Sequence, residues 1–319
     1  MHRPETFAET VTFGGSDLDR AEDWRRNPDA LDGVEARVIP LWRGKPLMDH
    51  GRQALVQVPG DLFASLGHPI LIGRDDDGAA ILARDVSALE VDGVDGALGA
   101  FLDPSVQTHR DLPVGSVFAE LRGAMTALTP RDAEIAATAR GVLEWHRTHG
   151  FCSNCGAATR PVKAGWSRAC DGCGRQHFPR TDPVVIMLVT HGNDCLLGRS
   201  PAWPERFFSC LAGFMEPGET MEGAVRREVW EETGVRVGPV SYVSSQPWPF
   251  PHSLMIGAWG EARTREITID PEEIAEARWV SREVLLDVAA GLDDTMTPAR
   301  PGAIARFLLD GWLAGRVGS

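Results

Sequence analysis

The 319-residue sequence has no apolar run long enough to cross a membrane. A spanning helix needs about 18 nearly uncharged apolar residues, and the best run, Val184 to Val189, is a buried strand's length. The opening segment carries Glu5 and Glu9 and lacks an apolar core, so no signal peptide is expected and the predicted setting is soluble and cytoplasmic. Lysine is nearly absent: Lys45 and Lys163 are the only two, which we take as compositional bias without mechanistic meaning. Positive charge is in deficit, with 32 basic residues against 45 acidic ones and a net charge of -13. That argues against a protein that grips nucleic acid non-specifically, which wants a basic surface. Anionic small substrates stay open, because a bound metal ion can reverse the local field. Cysteine is missing everywhere outside 152–210. A disulfide-stapled domain would spread its cysteines, so six clustered ones point to metal. There is no internal repeat and no low-complexity tract.

At about 150 residues per domain the length suggests two domains, or two plus a small module. Residues 1–128 read as a first, mostly β domain. Short apolar runs (Ala36 to Leu41, Ala54 to Val58, Ile70 to Ile72, Ala79 to Leu82) alternate with Gly/Asp/Pro turns. Nothing there has catalytic spacing, and Asp75, Asp76 and Asp77 before Gly78 read as a solvated turn. A linking helix is predicted over 129–150, capped by Thr129, started by Pro130 and ended by Gly150, with Ile135, Ala139, Val142 and His146 on one face. A cysteine module occupies 151–180, and a mixed α/β unit 181–319.

Cys152, Cys155, Cys170 and Cys173 form C-x2-C, fourteen residues, C-x2-C. Each pair makes a knuckle that turns two thiolates to one point, with Gly156 and Gly174 where the chain bends back. Four sulfurs complete the tetrahedral shell of a structural Zn²⁺ and leave no position for substrate. His146, His149 and His177 are nearby substitutes. Such a ribbon could also contact nucleic acid or protein. Cys195 and Cys210 lie in apolar runs and read as buried structural cysteines.

The stretch Gly213 to Val235 carries the chemistry. Gly213, Pro217 and Gly218 make a loop, Thr220 caps a helix, and Gly234 ends it. Glu228, Glu231 and Glu232 fall within one arc of about 100°. Met221, Ala224 and Val225 share the side of Glu228 and Glu232, while Gly223, Arg226 and Trp230 fall opposite. Acids turned toward the protein are costly unless a cation sits among them, and several carboxylates suit a hard divalent ion such as Mg²⁺ or Mn²⁺. Glu219 can reach back to the same point, and Arg227 can pair with an acid and orient it.

Gly213, Glu219, Arg227, Glu228, Val229, Glu231, Glu232, Gly234 and Val235 fill every position of the Nudix box, G-x5-E-x7-R-E-U-x-E-E-x-G-U with U aliphatic. Ten residues on, Ser245 to Ser253 reads S-Q-P-W-P-F-P-H-S and resembles the signature of the NADH pyrophosphatase subfamily of Nudix hydrolases. Its alternating prolines pre-set an extended backbone, which would leave Trp248 and Phe250 as rigid faces for a nucleotide and Gln246 as an amide donor. The resemblance implies an α+β or α/β fold: a Nudix α/β/α sandwich around a mixed sheet, with a zinc ribbon and a boxless, mostly β, Nudix-like N-terminal domain. It implies hydrolysis of the pyrophosphate of NADH or NAD⁺ to nicotinamide mononucleotide and AMP with Mg²⁺ or Mn²⁺, a homodimer, and for some members removal of an NAD cap from RNA. A patch of Arg160, Lys163, Arg168, Arg175 and Arg180 could serve such an RNA.

By the same resemblance Glu228, Glu231 and Glu232 hold the metal, with Glu219 and Arg227 in support. Glu276 joins them or acts as base, with Glu272 and Glu273 as rivals. Phe214 stacks on a base, Ser253 closes the signature, and Ala299 contacts nucleotide through its backbone. Phe178 stands where the family usually has an aromatic residue, commonly Tyr, which keeps stacking and removes a hydroxyl. The alternatives are a Nudix hydrolase for ADP-ribose or another nucleoside diphosphate derivative, and a non-catalytic nucleotide- or RNA-binding Nudix protein.

Overall fold

The structure, a computed structural model, describes residues 5–93 and 103–318. Of the expected first domain, 1–4 and 94–102 lie outside the described residues. The chain divides into two units. Unit 1 takes Gly15–Thr181 and Trp248–His252; unit 2 takes the segment up to Gly14, Asp182–Pro247, and the chain from Ser253 onward.

Unit 1 contains, in order, α1 (Glu22–Arg26), β1 (Ala36–Trp42), β2 (Lys45–Asp49), β3 (Val58–Pro59), β4 (Ile70–Arg74), β5 (Ala80–Asp85), β6 (Ser116–Phe118), α2 (Leu121–Ala124) and α3 (Pro130–Thr148), then the ribbon strands β7 (Thr159–Val162), β8 (Ser167–Cys170) and β9 (Gln176–His177). The main sheet runs β4-β5-β1-β2-β6, with β3 also on β1. Side chains alternate along β1. Ile39 and Leu41 join Ile135, Ala139 and Val142 of α3, while Val38 and Trp42 join Val58, Leu112 and Phe118 on the other face. The run Ala54 to Val58 gives only the two-residue β3. Asp49 Oδ1 accepts from the backbone of Gln53 and Ala54, and Asp132 Oδ2 from Leu55. Those local bonds compete with a strand ladder. The predicted helix is α3, with Thr129 Oγ1 accepting from Asp132 N. Its apolar face is core to unit 1.

Unit 2 contains β10 (Asp182–His191), β11 (Asp194–Arg199), β12 (Leu211–Phe214), α4 (Met221–Thr233), β13 (Val237–Trp248, the last residue counted in unit 1), β14 (Ser253–Ala262), β15 (Glu276–Ser281), α5 (Arg282–Ala290) and α6 (Ile304–Leu313). The sheet runs β13-β14-β10-β11-β15, with β12 also on β10. Along β10, Val185, Met187 and Val189 face α4, and Ile186 and Leu188 face α5 and α6. That is the expected α/β/α sandwich around a mixed sheet: β10 is parallel to β14 and antiparallel to β11 and β12. The N-terminal segment belongs here, not with the residues next to it in sequence. Phe7 stacks on Phe307 at 4.2 Å, Val11 enters the α6 core, and Ser244 Oγ donates to Ala8 O at 2.6 Å.

The two main sheets share one topology. Each has a central strand paired with a parallel neighbour (β1 with β5, β10 with β14), a hairpin partner (β2, β11) and a short antiparallel strand (β3, β12). They differ in the element that comes after the short strand. In unit 2 it is the acidic helix α4; in unit 1 it is one 3₁₀ turn, Ala64–Leu66.

Candidate active site

Helix α4 forms where the spacing places it. Thr220 Oγ1 accepts from Gly223 N at 3.2 Å, and Gly234 ends the helix in the left-handed region at φ 68°. Ala224, Val225 and Val229 fill the core, Glu228 and Glu232 are buried on that side, and Arg226 and Trp230 are exposed. The wheel therefore predicted the inward and outward faces correctly.

Gly213 on β12 lies under Glu228. A Cβ at that position would stand 1.9 Å from Glu228 Cδ, so only glycine leaves room for the carboxyl group. Arg227 organises the rest. Its Nε and Nη2 donate to Glu219 Oε1 and Oε2 at 2.6 and 2.9 Å, a bidentate pair. Nη1 reaches Glu228 Oε1 at 2.9 Å and Glu231 Oε2 at 3.0 Å, and Nη2 also donates to Phe214 O at 2.9 Å. One guanidinium thus orients three carboxylates and the β12 backbone. Glu219, held by Arg227 and by the backbone of Glu216, has its pKa lowered to about 2.

Glu232 receives nothing from Arg227. Its Oε2 is buried without a hydrogen-bond partner. Burial first, then the charges of Glu228, Glu273 and Glu231, push its pKa up to about 8. Burial likewise raises Glu228, against the pull of Arg227. This all-oxygen set, with a buried unpaired oxygen and a glycine cradle, fits a hard divalent cation.

Glu276, at the start of β15, is exposed and 3.9 Å from Arg199, its cross-strand partner. From that same stretch it is Glu273 whose charge acts on Glu228 and Glu232. No spacing rule reveals this, since it depends on how the loop before β15 folds. The phenyl ring of Phe214, 61% exposed, is open to a stacking partner. Gln246 is fully buried: Nε2 donates to Thr12 O at 2.9 Å and Gly302 O at 2.8 Å, and Oε1 accepts from Ile304 N at 2.9 Å. Both N–H groups are used within unit 2, leaving none for a ligand, because the residue ties three distant segments together. Ser253 opens β14 opposite Asp182, and the Ala299 side chain is buried in the α6 core.

In unit 1, Trp248 meets the Phe250 ring edge-on at 5.0 Å, and Phe178 is exposed. The four ribbon sulfurs lie within 4.8 Å of one another, the only such group among the described residues. Gly156 N donates to Cys152 O and Gly174 N to Cys170 O, both glycines in the left-handed region. These are the two knuckles, and a tetrahedral Zn²⁺ fits them. His177 Nε2 lies 3.3 Å from Cys152 Sγ, beside the quartet.

Residues 179–306 match the NUDIX domain, 35–145 the NADH pyrophosphatase-like rudimentary NUDIX domain, and 147–178 the NADH pyrophosphatase zinc ribbon domain. Over 245 residues the chain is 41% identical to the NAD-capped RNA hydrolase NudC of Mycobacterium bovis (strain BCG / Pasteur 1173P2), covering 74% of this chain and 75% of that protein. The chain belongs to the NADH pyrophosphatase family of Nudix hydrolases. Within that family it is also similar to the NAD-capped RNA hydrolase NUDT12 of Homo sapiens, 47% identical over 201 residues, 60% of this chain and 44% of that protein. The match thus spans less than half the length of that relative. A solved NUDIX hydrolase from Nitrosomonas europaea is 23% identical, with a TM-score of 0.38 over 42% of this chain and 78% of that one. The rudimentary NUDIX domain of this family member is the sheet of unit 1, in which a 3₁₀ turn replaces the box helix. No helix among the described residues is long and apolar enough to cross a membrane.

Proposed function

We propose that this chain uses Mg²⁺ or Mn²⁺ to hydrolyse the pyrophosphate bond of NADH or NAD⁺, giving nicotinamide mononucleotide (reduced, from NADH) and AMP, and that it removes the same NAD cap from RNA. The observation that carries the reading is the carboxylate cradle: Glu228, Glu231 and Glu232 gathered on one helix, the first two ordered by Arg227 and Glu228 seated over Gly213. A divalent cation held there supplies charge neutralisation for the diphosphate, a Lewis acid for a phosphoryl oxygen, and activation of water. Arg227 keeps the acids aimed without a reorganisation step. Burial and the neighbouring acids raise the Glu232 pKa to about 8, and a cation held among these residues would favour its ionised form. Glu276 and Glu273 are the candidates to complete the metal set. Phe214, Phe178 and Trp248 are aromatic faces for the two bases, whereas the Phe250 ring, expected to be another, is already covered by the guanidinium groups of Arg122 and Arg140. The names of the relatives above support NAD and NAD-capped RNA as substrates. A cytoplasmic homodimer, implied by the family resemblance and the composition, belongs to the same proposal.

The test is product analysis by chromatography. The purified chain is incubated with Mg²⁺ or Mn²⁺ and, separately, NADH, NAD⁺, ADP-ribose and a short NAD-capped RNA. Glu231→Gln is the blank, since Glu231 is exposed and its loss spares the core. AMP and reduced nicotinamide mononucleotide from NADH, absent with the variant, are expected. ADP-ribose turnover without NADH turnover would reassign the substrate, and no turnover of anything would refute the enzyme.

A further inference from the structure

The aromatic part of the S-Q-P-W-P-F-P-H-S block, Trp248–His252, packs in unit 1. Its partners are arginines from the helices of the rudimentary NUDIX domain. The guanidinium carbon of Arg122, in α2, stands 4.1 Å from the centre of the Phe250 ring, and that of Arg140, in α3, 4.6 Å from it. Arg140 Nη1 also donates to the carbonyl oxygen of the buried Pro249. Two guanidinium groups on one ring repel each other, and acids offset that. Glu120 lies 3.9 Å from Arg122, and the charges of Glu120 and Glu144 favour the charged form of Arg140 against its burial. His252, from the same segment, in turn favours the Glu144 carboxylate. A largely buried guanidinium is tolerated only when it is engaged, and here the ring face and the Pro249 carbonyl engage it. Planar guanidinium suits both contacts, which an ammonium group does not.

We propose that Arg122 and Arg140 are positioning residues: through Phe250 and the Pro249 carbonyl, the rudimentary NUDIX domain fixes the Trp248–His252 segment in the conformation that presents Trp248 to a dinucleotide. The contact with substrate rests on the function proposed above; the grip on the segment does not.

The test joins hydrogen exchange to kinetics on the full chain, loaded with zinc and assayed with Mg²⁺. In Arg140→Ala the amides of Trp248, Phe250 and His252 should exchange about tenfold faster, while those of β10 and β14 are unchanged. KM for NADH should rise about tenfold with kcat within about threefold of the parent. Arg140→Lys should restore part of both effects, and Arg122→Gln should reproduce them more weakly. If Arg140→Ala raises exchange throughout the chain, the Lys and Gln variants decide the question. Unchanged exchange at 248–252 in the variants that remain folded overturns the grip. Faster exchange there with an unchanged KM overturns the positioning role. If the parent does not hydrolyse NADH, the proposed function fails, and the exchange data still judge the grip.

Discussion

Replacing Gly213 with alanine should disable the site without touching a charged residue. The added carbon would stand 1.9 Å from Cδ of Glu228 and 2.1 and 2.2 Å from its oxygens, whereas ordinary contact begins at 3.4 Å. The carboxyl group must therefore retreat by the difference, about 1.5 Å. β12 cannot yield instead, because it is paired with the central strand at Val185↔Gly213. The retreat breaks the 2.9 Å bond from Arg227 and disperses the cradle. Misplacement by about 1 Å can cost about 10²-fold in rate, and overpacking costs about 1–3 kcal/mol of stability. We expect a kcat for NADH at least about 10²-fold below the parent, read by product chromatography, and a matching loss in denaturant unfolding. The double variant Gly213→Ala/Glu228→Ala removes the obstructing carboxyl group. Its stability should approach that of Glu228→Ala alone while activity stays absent, a coupling expected only of residues in contact. Activity within a few-fold of the parent in Gly213→Ala, or additive stabilities in the double variant, would refute the cradle.

Glu232 contributes to the pH dependence of the metal-free protein in a direction opposite to that of the half-buried His146, whose pKa burial lowers. Its pKa is raised from 4.5 to about 8, so between those values the folded state holds a proton that the unfolded chain has released. The contribution of Glu232 to stability must then fall as pH rises through that window, by an amount of order a few kcal/mol. Thermal unfolding in chelator from pH 5 to 8.5 should show the decline in the parent and a flatter profile in Glu232→Gln or with saturating Mg²⁺; equal slopes would disprove it. Cys152→Ala should lose bound zinc, by elemental analysis, and lower Tm, whereas a fully zinc-loaded variant would remove that residue from the ligand set. Gln246→Ala should lower stability by about 2–4 kcal/mol, since it strips three internal hydrogen bonds from a buried residue. A raised KM for NADH with unchanged Tm would instead make Gln246 a ligand contact.

The features legible in the sequence were local. The caps Thr220 and Gly234, the knuckle glycines Gly156 and Gly174 and the 3.6-residue spacing each act within a few residues, so their consequences could be read directly. The burial of Glu228 and Glu232 came from the apolar residues sharing their face. Gln246 was not legible in this way. Its partners are 234, 56 and 58 residues away, and nothing in a proline-rich block distinguishes an amide offered to a ligand from one locking three segments together. The same holds for Val11, whose burial in the α6 core depends on a chain path that no local pattern encodes. Arg122 and Arg140 carry no motif at all, and only their approach to Phe250 marks them.

The two sheets show why one copy of a topology can hold chemistry and the other need not. A sheet requires that each face be covered by apolar matter, whatever its source. In unit 2 the α4 face is covered by Ala224, Val225 and Val229, and the helix that supplies them also brings two buried acids onto that side. Buried carboxylates weaken the fold unless a cation offsets them; the raised pKa of Glu232 is the direct sign of that strain. In unit 1 the corresponding face is covered by Val58, Leu112 and Phe118 with Leu62, Phe63 and Leu66, from loops and a 3₁₀ turn, and the acid that the β5–β6 loop buries, Asp103, is paired with the buried Lys45 at 2.6 Å. The first sheet therefore keeps the architecture with its buried acid already offset by an internal cation, Lys45, whereas the second leaves Glu232 without one. Its helices α2 and α3, which follow β6, instead carry arginines to Phe250, a contact that the box chemistry never required.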